Sequence, residues 1–107
     1  MRTLRFHVNK ESIWRDRDCD FSHIKPGTKE EIRLEFIFSP EWNLFTKVVG
    51  FWNRNREECK PQILREDNTC VVPKEALNDF IFYIEVLGKY GNLNLNTERI
   101  AVVLDGR

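Results

Sequence analysis

The segment formed by residues 32–52 constrains the fold more than any other part of the sequence. Its first part places a large apolar side chain at every second position, at Ile32, Leu34, Phe36 and Phe38. This period of two puts the four side chains on one face of a β-strand. Pro40 interrupts the run because it has no amide proton for a sheet ladder. A second β-rich run follows at residues 47–52. We therefore predict two strands, joined by a Ser-Pro-Glu-Trp corner, at the centre of one antiparallel sheet.

The same alternation recurs in other parts of the chain. It predicts a first strand at residues 2–8, a second central strand at residues 80–86 and a final strand at residues 100–104. Shorter strands are predicted at residues 13–14, 62–65 and 69–72.

Turn residues separate these runs. Asp67 and Asn68 tolerate left-handed geometry, which predicts a hairpin tip between two of the short strands. Pro73 suits the first position of a helix, so residues 73–77 predict one helical turn. Gly88 and Gly91 predict a loop over residues 88–92.

About seven or eight short strands result, with turn signals roughly every 8 to 12 residues. This spacing indicates an all-β fold, and we predict an antiparallel, immunoglobulin-like β-sandwich. A chain of 107 residues supports one hydrophobic core, so we predict a single domain over residues 1–107. The eight Phe and three Trp residues suit strands and a thin core between two layers.

Charge and cysteine content limit the classes of partner and compartment. Lys plus Arg and Asp plus Glu number 17 each, so the formal net charge is zero and no overall field favours nucleic acid or an anionic membrane. No apolar run approaches the roughly 18 residues of a membrane-spanning helix, and the first residues lack a signal peptide's apolar stretch. Cys19, Cys59 and Cys70 are odd in number, which predicts reduced thiols and a cytoplasmic site of synthesis.

Candidate metal sites are incomplete in the sequence. Asp16, Asp18 and Asp20 have the spacing of a calcium loop, but Phe21 stands where the loop needs Gly and Gly27 where it needs Glu. We therefore expect a solvated charged loop here.

The patterns for a zinc site and for catalysis are also incomplete. Cys19 and His23 are spaced like two zinc ligands, yet no second close pair completes a site. The chain has neither a nucleophile elbow nor a glycine-rich phosphate loop. We expect no enzymatic activity, no metal and no cofactor.

The candidate binding residues are aromatic and arginine side chains. Trp52, Arg54 and Arg56 could stack on a base and hold phosphates, or could anchor an acidic protein. Glu57 and Glu58 follow directly and weaken any field for nucleic acid. The favoured interpretation is an exposed polar turn after a core Trp, and among the binding alternatives a protein partner is favoured over nucleic acid.

Three more aromatic residues lie beside polar segments. Trp14, Trp42 and Tyr90 could stack on sugar rings, with Asn92 bonding hydroxyl groups, or could pack at corners of the fold. We keep Trp14 and Tyr90 as candidate binding residues.

Three stretches carry a resemblance to a known family. They run from Phe36 to Trp52, which contains the Phe-Ser-Pro-Glu-Trp corner, from Asp67 to Leu77, which contains Asn-Thr-Cys-Val-Val-Pro, and from Phe82 to Gly88. Their order resembles that of small proteins and domains of tailed phages and prophages of Gram-positive bacteria. The likeness runs from about Glu31 onward. It implies a β-sandwich module of the virion, often at the baseplate or tail tip, and it carries no catalytic residues.

Three functional hypotheses follow, the first two from the resemblance and the third from the aromatic residues beside polar segments. The first is a non-enzymatic structural module that assembles with itself or with other phage or host proteins in a virion tail or baseplate. The second is a phage-encoded inhibitor that occludes a host defence protein or a nucleic-acid complex. The third is a carbohydrate-binding module. In the first two, synthesis would take place in the cytoplasm of a bacterial host, and in the first the protein would then join the virion.

Overall fold

Nine strands and two short 3-10 helices make up the fold in this computed structural model, which describes residues 1–104. The strands are β1 (Arg2–Asn9), β2 (Ser12–Arg15), β3 (Ile32–Phe38), β4 (Thr46–Trp52), β5 (Gln62–Ile63), β6 (Thr69–Val71), β7 (Ile81–Tyr90), β8 (Leu93–Asn96) and β9 (Ile100–Val103). The 3-10 helices span Pro40–Trp42 and Lys74–Leu77. The strands form two sheets packed face to face, which confirms the predicted all-β sandwich. Its immunoglobulin-like detail stays a prediction.

Sheet 1 has the strand order β2-β1-β3-β6. Its pairs are antiparallel except for β1 and β3, which run parallel from Arg2 beside Ile32 to Val8 beside Phe38. The prediction of purely antiparallel pairing is therefore wrong at this pair. The cause is the long connection that follows β2. It returns the chain to the start of β1, and a parallel neighbour needs such a crossover.

Sheet 2 has the order β5-β4-β7, and both β8 and β9 pair with the far edge of β7. The predicted pairing of residues 32–38 with residues 47–52 is wrong, because β3 lies in sheet 1 and β4 in sheet 2. The 3-10 helix between them carries the chain across the sandwich. Trp42 is fully buried at this crossing, and its indole N–H donates a hydrogen bond to the carbonyl oxygen of Lys10 at 2.9 Å.

The turn predicted at Asp67 and Asn68 is present. Asn68 has a left-handed φ of 62°, and its amide donates to the carbonyl oxygen of Arg65 at 2.9 Å. The turn joins β5 of sheet 2 to β6 of sheet 1, however, so the predicted hairpin between these strands is wrong. A turn residue specifies a change of direction, and it does not specify which sheet receives the next strand.

The predicted loop at residues 88–92 is shorter than expected. Strand β7 continues to Tyr90 and forms a hairpin with β8, in which Tyr90 faces Leu93. Only Gly91 and Asn92 remain at the tip, and Gly91 has a φ of +58°. Such a two-residue turn favours glycine, because the left-handed region is accessible to it without steric cost. Gly88 is therefore a strand residue.

The core lies between the two sheets and confirms the predicted alternation. Sheet 1 contributes Leu4, Phe6, Val8, Ile32, Leu34 and Phe36, and sheet 2 contributes Val49, Phe51, Phe82, Ile84, Val86 and Val102. Phe80 departs from the pattern because it precedes β7 and lies largely exposed.

The three cysteines are free, as predicted. Burial raises the pKa of the Cys70 thiol to about 12, which keeps this group protonated and unreactive at neutral pH. No helix within residues 1–104 has the length and apolarity that crossing a bilayer requires.

Candidate interaction surface

The side of sheet 2 that faces away from the core is the candidate interaction surface, and we call it the outer face. Side chains alternate along β4 and β7, so every second cross-strand pair points outward. Its four outward pairs are Trp52–Tyr83, Gly50–Glu85, Val48–Leu87 and Thr46–Lys89. Strand β5 adds Ile63 beside Val48, and β9 adds Ala101 beside Tyr83 and Val103 beside Ile81.

Apolar side chains dominate this outer face. Ile63 is 71% exposed, and its neighbours Val48 and Leu87 are partly exposed. At the start of β7, Val103 is 52% exposed beside the partly exposed Ile81. The outward side of an antiparallel sheet ordinarily carries polar residues. Contiguous exposed apolar surface is typical of interaction sites.

The corresponding side of sheet 1 is different. An ion pair joins outward positions of β1 and β3, where Arg5 Nε lies 2.5 Å from Glu35 Oε1. A second ion pair joins Arg33 of β3 to the preceding Glu31, with Nε 2.8 Å from Oε2. These paired charges suit a face in contact with water. The outer face of sheet 2 is therefore the candidate interaction surface.

An open groove of about 760 Å³ crosses one end of the outer face. Val48 and Leu87 supply its apolar side chains, and Lys89 is the charged residue of its lining within residues 1–104. Thr46, Gly88, Gly91, Asn94 and Asn96 complete the lining. The volume falls in the range of roughly 300–1,000 Å³ that is usual for ligand pockets. The groove can therefore accept apolar side chains of a partner beside a polar rim.

The other end of the outer face is a stack of aromatic and arginine side chains. Trp52 lies flat over Gly50, so closely that a Cβ at position 50 would come within 2.7 Å of the Trp52 ring. The Arg99 guanidinium lies 3.6 Å from the centroid of the Trp52 ring. Arg99 Nε also donates to Glu85 Oε1 at 3.4 Å. Arg99 therefore occupies a face of the Trp52 ring on which a base could otherwise stack.

Arg54 and Arg56 are held beside Trp52 by the loop that follows β4. Asn53 Oδ1 accepts hydrogen bonds from the amides of Asn55 and Glu57, each at 3.0 Å, and Arg56 has a left-handed φ of 63°. The Arg56 guanidinium lies 5.6 Å from the ring centroid of Tyr83. The structure thus brings Trp52, Arg54 and Arg56 to one end of the outer face.

Arg54 is directed to the margin of that end. Its Nη1 lies 3.4 Å from Asp79 Oδ2, and its guanidinium lies 5.9 Å from the ring centroid of Phe80. This contact with Asp79 reduces the positive charge that Arg54 offers to a partner.

Trp14 and Tyr90 are not part of this group. Trp14 lies on β2 of sheet 1, where its ring stacks on His7 with centroids 5.8 Å apart. Tyr90 ends β7 and lies about 23 Å from Tyr83, at about 3.3 Å per residue along the strand. Its ring centroid is 6.2 Å from that of Phe45. The five predicted binding residues therefore occupy three separate places.

Sequence reasoning missed Val48, Leu87, Ile63 and Arg99. A signal for the first two was present, because β4 and β7 carry apolar residues at both their inward and outward positions. Strands that are apolar on both sides are usually covered on both sides. Nothing in the sequence pairs Arg99 with Trp52, since the two are far apart in the chain.

Side chains from the incomplete metal patterns, and His7 beside them, make local contacts with neighbouring residues. His7 Nε2 lies 2.7 Å from Asp16 Oδ2, and this hydrogen bond lowers the pKa of Asp16 below its usual value. Asp20 accepts from the Ser22 hydroxyl at 2.5 Å. The Cys19 thiol donates weakly to the carbonyl oxygen of Thr3 at 3.5 Å. Within residues 1–104, no three His, Cys, Asp or Glu side chains are grouped to hold a metal ion.

Comparison with known proteins identifies a shared fold. No protein-family model matches the chain. No curated protein matches it in sequence. Among solved structures, the chain is similar to the N-terminal domain of phage TP901-1 ORF48, with a TM-score of 0.53 and 8% sequence identity. The alignment covers 98% of this chain and 99% of that domain. The two chains therefore share a fold over almost their whole length.

Proposed function

We propose that this protein is a non-enzymatic structural module of the phage type, which works through protein–protein contacts in a virion tail or baseplate. The outer face of sheet 2 is the contact surface in this proposal. The observation that carries it is the exposed apolar band of Ile63, Val48 and Leu87, neighbours across three strands on the side of the sheet that should face water. Burying such a band against another protein is favourable, at about 25 cal/mol per Å² of apolar area removed from water.

The shared fold supports the same proposal. The similar solved structure is a domain of a phage protein, and the resemblance at residues 36–52, 67–77 and 82–88 independently pointed to phage virion modules. Fold does not by itself determine function. The exposed apolar surface is therefore the main support for the proposal, and the shared fold supports the choice of a phage protein.

A phage-encoded inhibitor of a host protein is the alternative. The outer face would serve either role, because both require a surface that binds protein. The two roles differ in where the protein is found. A structural module remains in the finished particle in a fixed copy number, whereas an inhibitor remains in the infected cell.

The test is to measure the protein in purified phage particles. Particles from the source culture would be banded twice by density, and the chain would be quantified by mass spectrometry against a major virion protein. A constant ratio across independent preparations supports the structural role. A protein that is abundant in the cell lysate and absent from banded particles overturns it and favours the inhibitor.

A matched pair of variants then connects the particle to the surface. Leu87→Ser changes the outer face of sheet 2, and Ile37→Ser changes an exposed apolar residue on sheet 1. We expect Leu87→Ser to reduce incorporation into particles and Ile37→Ser to leave it unchanged. Equal incorporation of both variants would rule out the outer face as the contact surface.

A further inference from the structure

We infer that the groove beside Lys89 binds a segment of a partner protein that presents apolar side chains next to a carboxylate. This inference rests on the proposed function, because it names the chemistry of the partner at the same surface. The apolar part of the segment would contact Val48 and Leu87, and its carboxylate would pair with Lys89.

Charge at the groove selects an acidic partner. Among the lining residues that the structure describes, only Lys89 is charged, and its side chain is exposed. No carboxylate of residues 1–104 lies within ion-pair distance of its amino group. The nearest outward carboxylate along β7 is Glu85, which contacts Arg99 instead. A partner carboxylate would meet a positive charge that residues 1–104 leave uncompensated.

The polar rim favours a peptide segment. Asn94 and Asn96 lie on β8 along one side of the groove. Each amide side chain offers both a donor and an acceptor. These groups can bond the N–H and C=O groups of an extended backbone while apolar side chains enter the groove. Asn amides, Lys89 and an apolar pair therefore match three features of one extended acidic segment.

A second copy of this chain fits the groove less well. In a two-fold dimer the same patch lies on both sides of the interface. Two grooves placed face to face would bring the Lys89 side chains toward each other, and the lining residues described in the structure include no carboxylate that would neutralise them. Like charges at an interface cost affinity. The charge pattern therefore disfavours a symmetric dimer through this groove.

Nucleic acid is also a poor match. Binding to nucleic acid uses several cationic contacts to phosphates. The groove offers one lysine beside apolar side chains, and Glu85 and Glu58 stand on the same face as Trp52. These carboxylates repel a phosphate backbone. The acidic protein segment is the occupant that agrees with both the charge and the apolar lining.

The test is an unbiased selection of peptides on the purified full-length chain. A phage-displayed library of random 12-residue peptides would be selected on the immobilised protein, and enriched sequences would be synthesised with a fluorescent label. We expect a consensus with Asp or Glu beside Leu, Ile, Val or Phe. Binding would be measured by fluorescence anisotropy at low and at high salt, and it should weaken at high salt because exposed charges are screened.

Two matched pairs of variants locate the binding site. Lys89→Glu should weaken binding of the selected peptides by about tenfold or more, and Leu87→Ser should weaken their binding as well. Lys29→Glu and Ile37→Ser make the same changes away from sheet 2, on exposed residues, and should leave affinity unchanged. Circular dichroism of each variant establishes that it is folded before its affinity is compared.

The outcomes separate this inference from the proposed function. A consensus without acidic residues, or acidic peptides that bind Lys89→Glu as well as the parent, overturns the inference. So does self-association in sedimentation that Leu87→Ser abolishes, or single-stranded DNA binding that Lys89→Glu abolishes. Peptide binding is measured on the purified chain, so it can succeed where the particle experiment fails. If acidic peptides bind at the groove and the protein is absent from banded particles, the inference stands and the virion role is overturned.

Discussion

The Trp42 indole lies directly against the backbone of Gly88, so that a Cβ at position 88 would come within 2.7 Å of Trp42 Cζ3. Such a distance requires one of the two groups to move. Trp42 is fully buried, and its indole N–H is held by the carbonyl oxygen of Lys10. Gly88 is therefore the strand residue that makes room for the tryptophan at the crossing between the two sheets.

Gly88→Ala should destabilise the protein by about 1–3 kcal/mol, the usual cost of forcing extra volume into a packed core. The melting temperature should fall by roughly 5–15 °C for a domain of this size. Thermal and urea unfolding followed by circular dichroism would measure the loss. The double variant Trp42→Phe/Gly88→Ala should cost less than the sum of its single changes, because the smaller ring relieves the contact. Strictly additive losses would contradict the proposed clash.

Thr97 lies between β8 and β9 in the chain and continues their hydrogen bonding to β7. The Val86 amide donates to Thr97 Oγ1 at 2.9 Å, and the Thr97 amide donates to the Val86 carbonyl oxygen at 2.9 Å. Thr97→Val keeps the shape and removes the acceptor, which leaves the Val86 N–H unsatisfied in the interior. We expect a loss of about 1–3 kcal/mol in unfolding free energy, measured by urea titration. Thr97→Ser retains the hydroxyl and should lose clearly less, and equal losses would exclude the hydrogen bond as the cause.

The strands themselves could be predicted because alternation is a local property of the chain. The apolar side chains of Phe6, Phe36 and Phe82 recur with a period of two within their own segments, and all three are buried. Burial of one face of a strand leaves this pattern in the sequence whatever the strand pairs with. The same fact explains the errors in topology. Alternation in β3 and β4 is identical whether they pair or lie in opposite sheets.

The candidate site was only partly predictable. Trp52, Arg54 and Arg56 are close in sequence, so their grouping followed from the chain itself. Whether Trp52 was free depended on Arg99, which reaches it through the β7–β9 pairing. The contact between distant segments is a product of topology, and topology was the part of the fold that local patterns did not determine.

The pH dependence of stability should report the contact between Asp16 and His7. The hydrogen bond from His7 lowers the pKa of Asp16 below its ordinary value of 3.8. A carboxylate with a depressed folded-state pKa stabilises the protein above its unfolded-state pKa, and the contribution is lost as the pH falls through the folded-state pKa. Asp16→Asn should therefore destabilise the protein at pH 5, and its difference from the parent should shrink toward pH 2.

Urea unfolding at several values between pH 5 and pH 2 would measure that difference. Asp18→Asn removes an exposed neighbouring carboxylate and serves as the control. Its difference from the parent should stay small over the same range. A constant gap between Asp16→Asn and the parent at every pH would show that the carboxylate charge is not what stabilises the contact.

Gly50 repeats the relationship of Gly88 on the opposite side of sheet 2, with a different expected outcome. A Cβ at position 50 would come within 2.7 Å of Trp52 Cη2, but that atom is the far end of a partly exposed side chain that can move outward. Gly50→Ala should therefore change the unfolding free energy by about 0.5 kcal/mol or less, as is usual for surface substitutions.

The same variant should nevertheless disturb the stack at Arg99. If the Trp52 ring is lifted, the Arg99 guanidinium loses its position 3.6 Å from the ring centroid. In the parent, the Arg99 Nε–H resonance should be shifted upfield by the Trp52 ring, and Gly50→Ala should remove most of that shift. Trp52→Leu provides the reference without a ring. An Arg99 resonance unchanged by Gly50→Ala, or a loss of stability as large as that of Gly88→Ala, would mean that the outer-face tryptophan is as firmly fixed as the buried one.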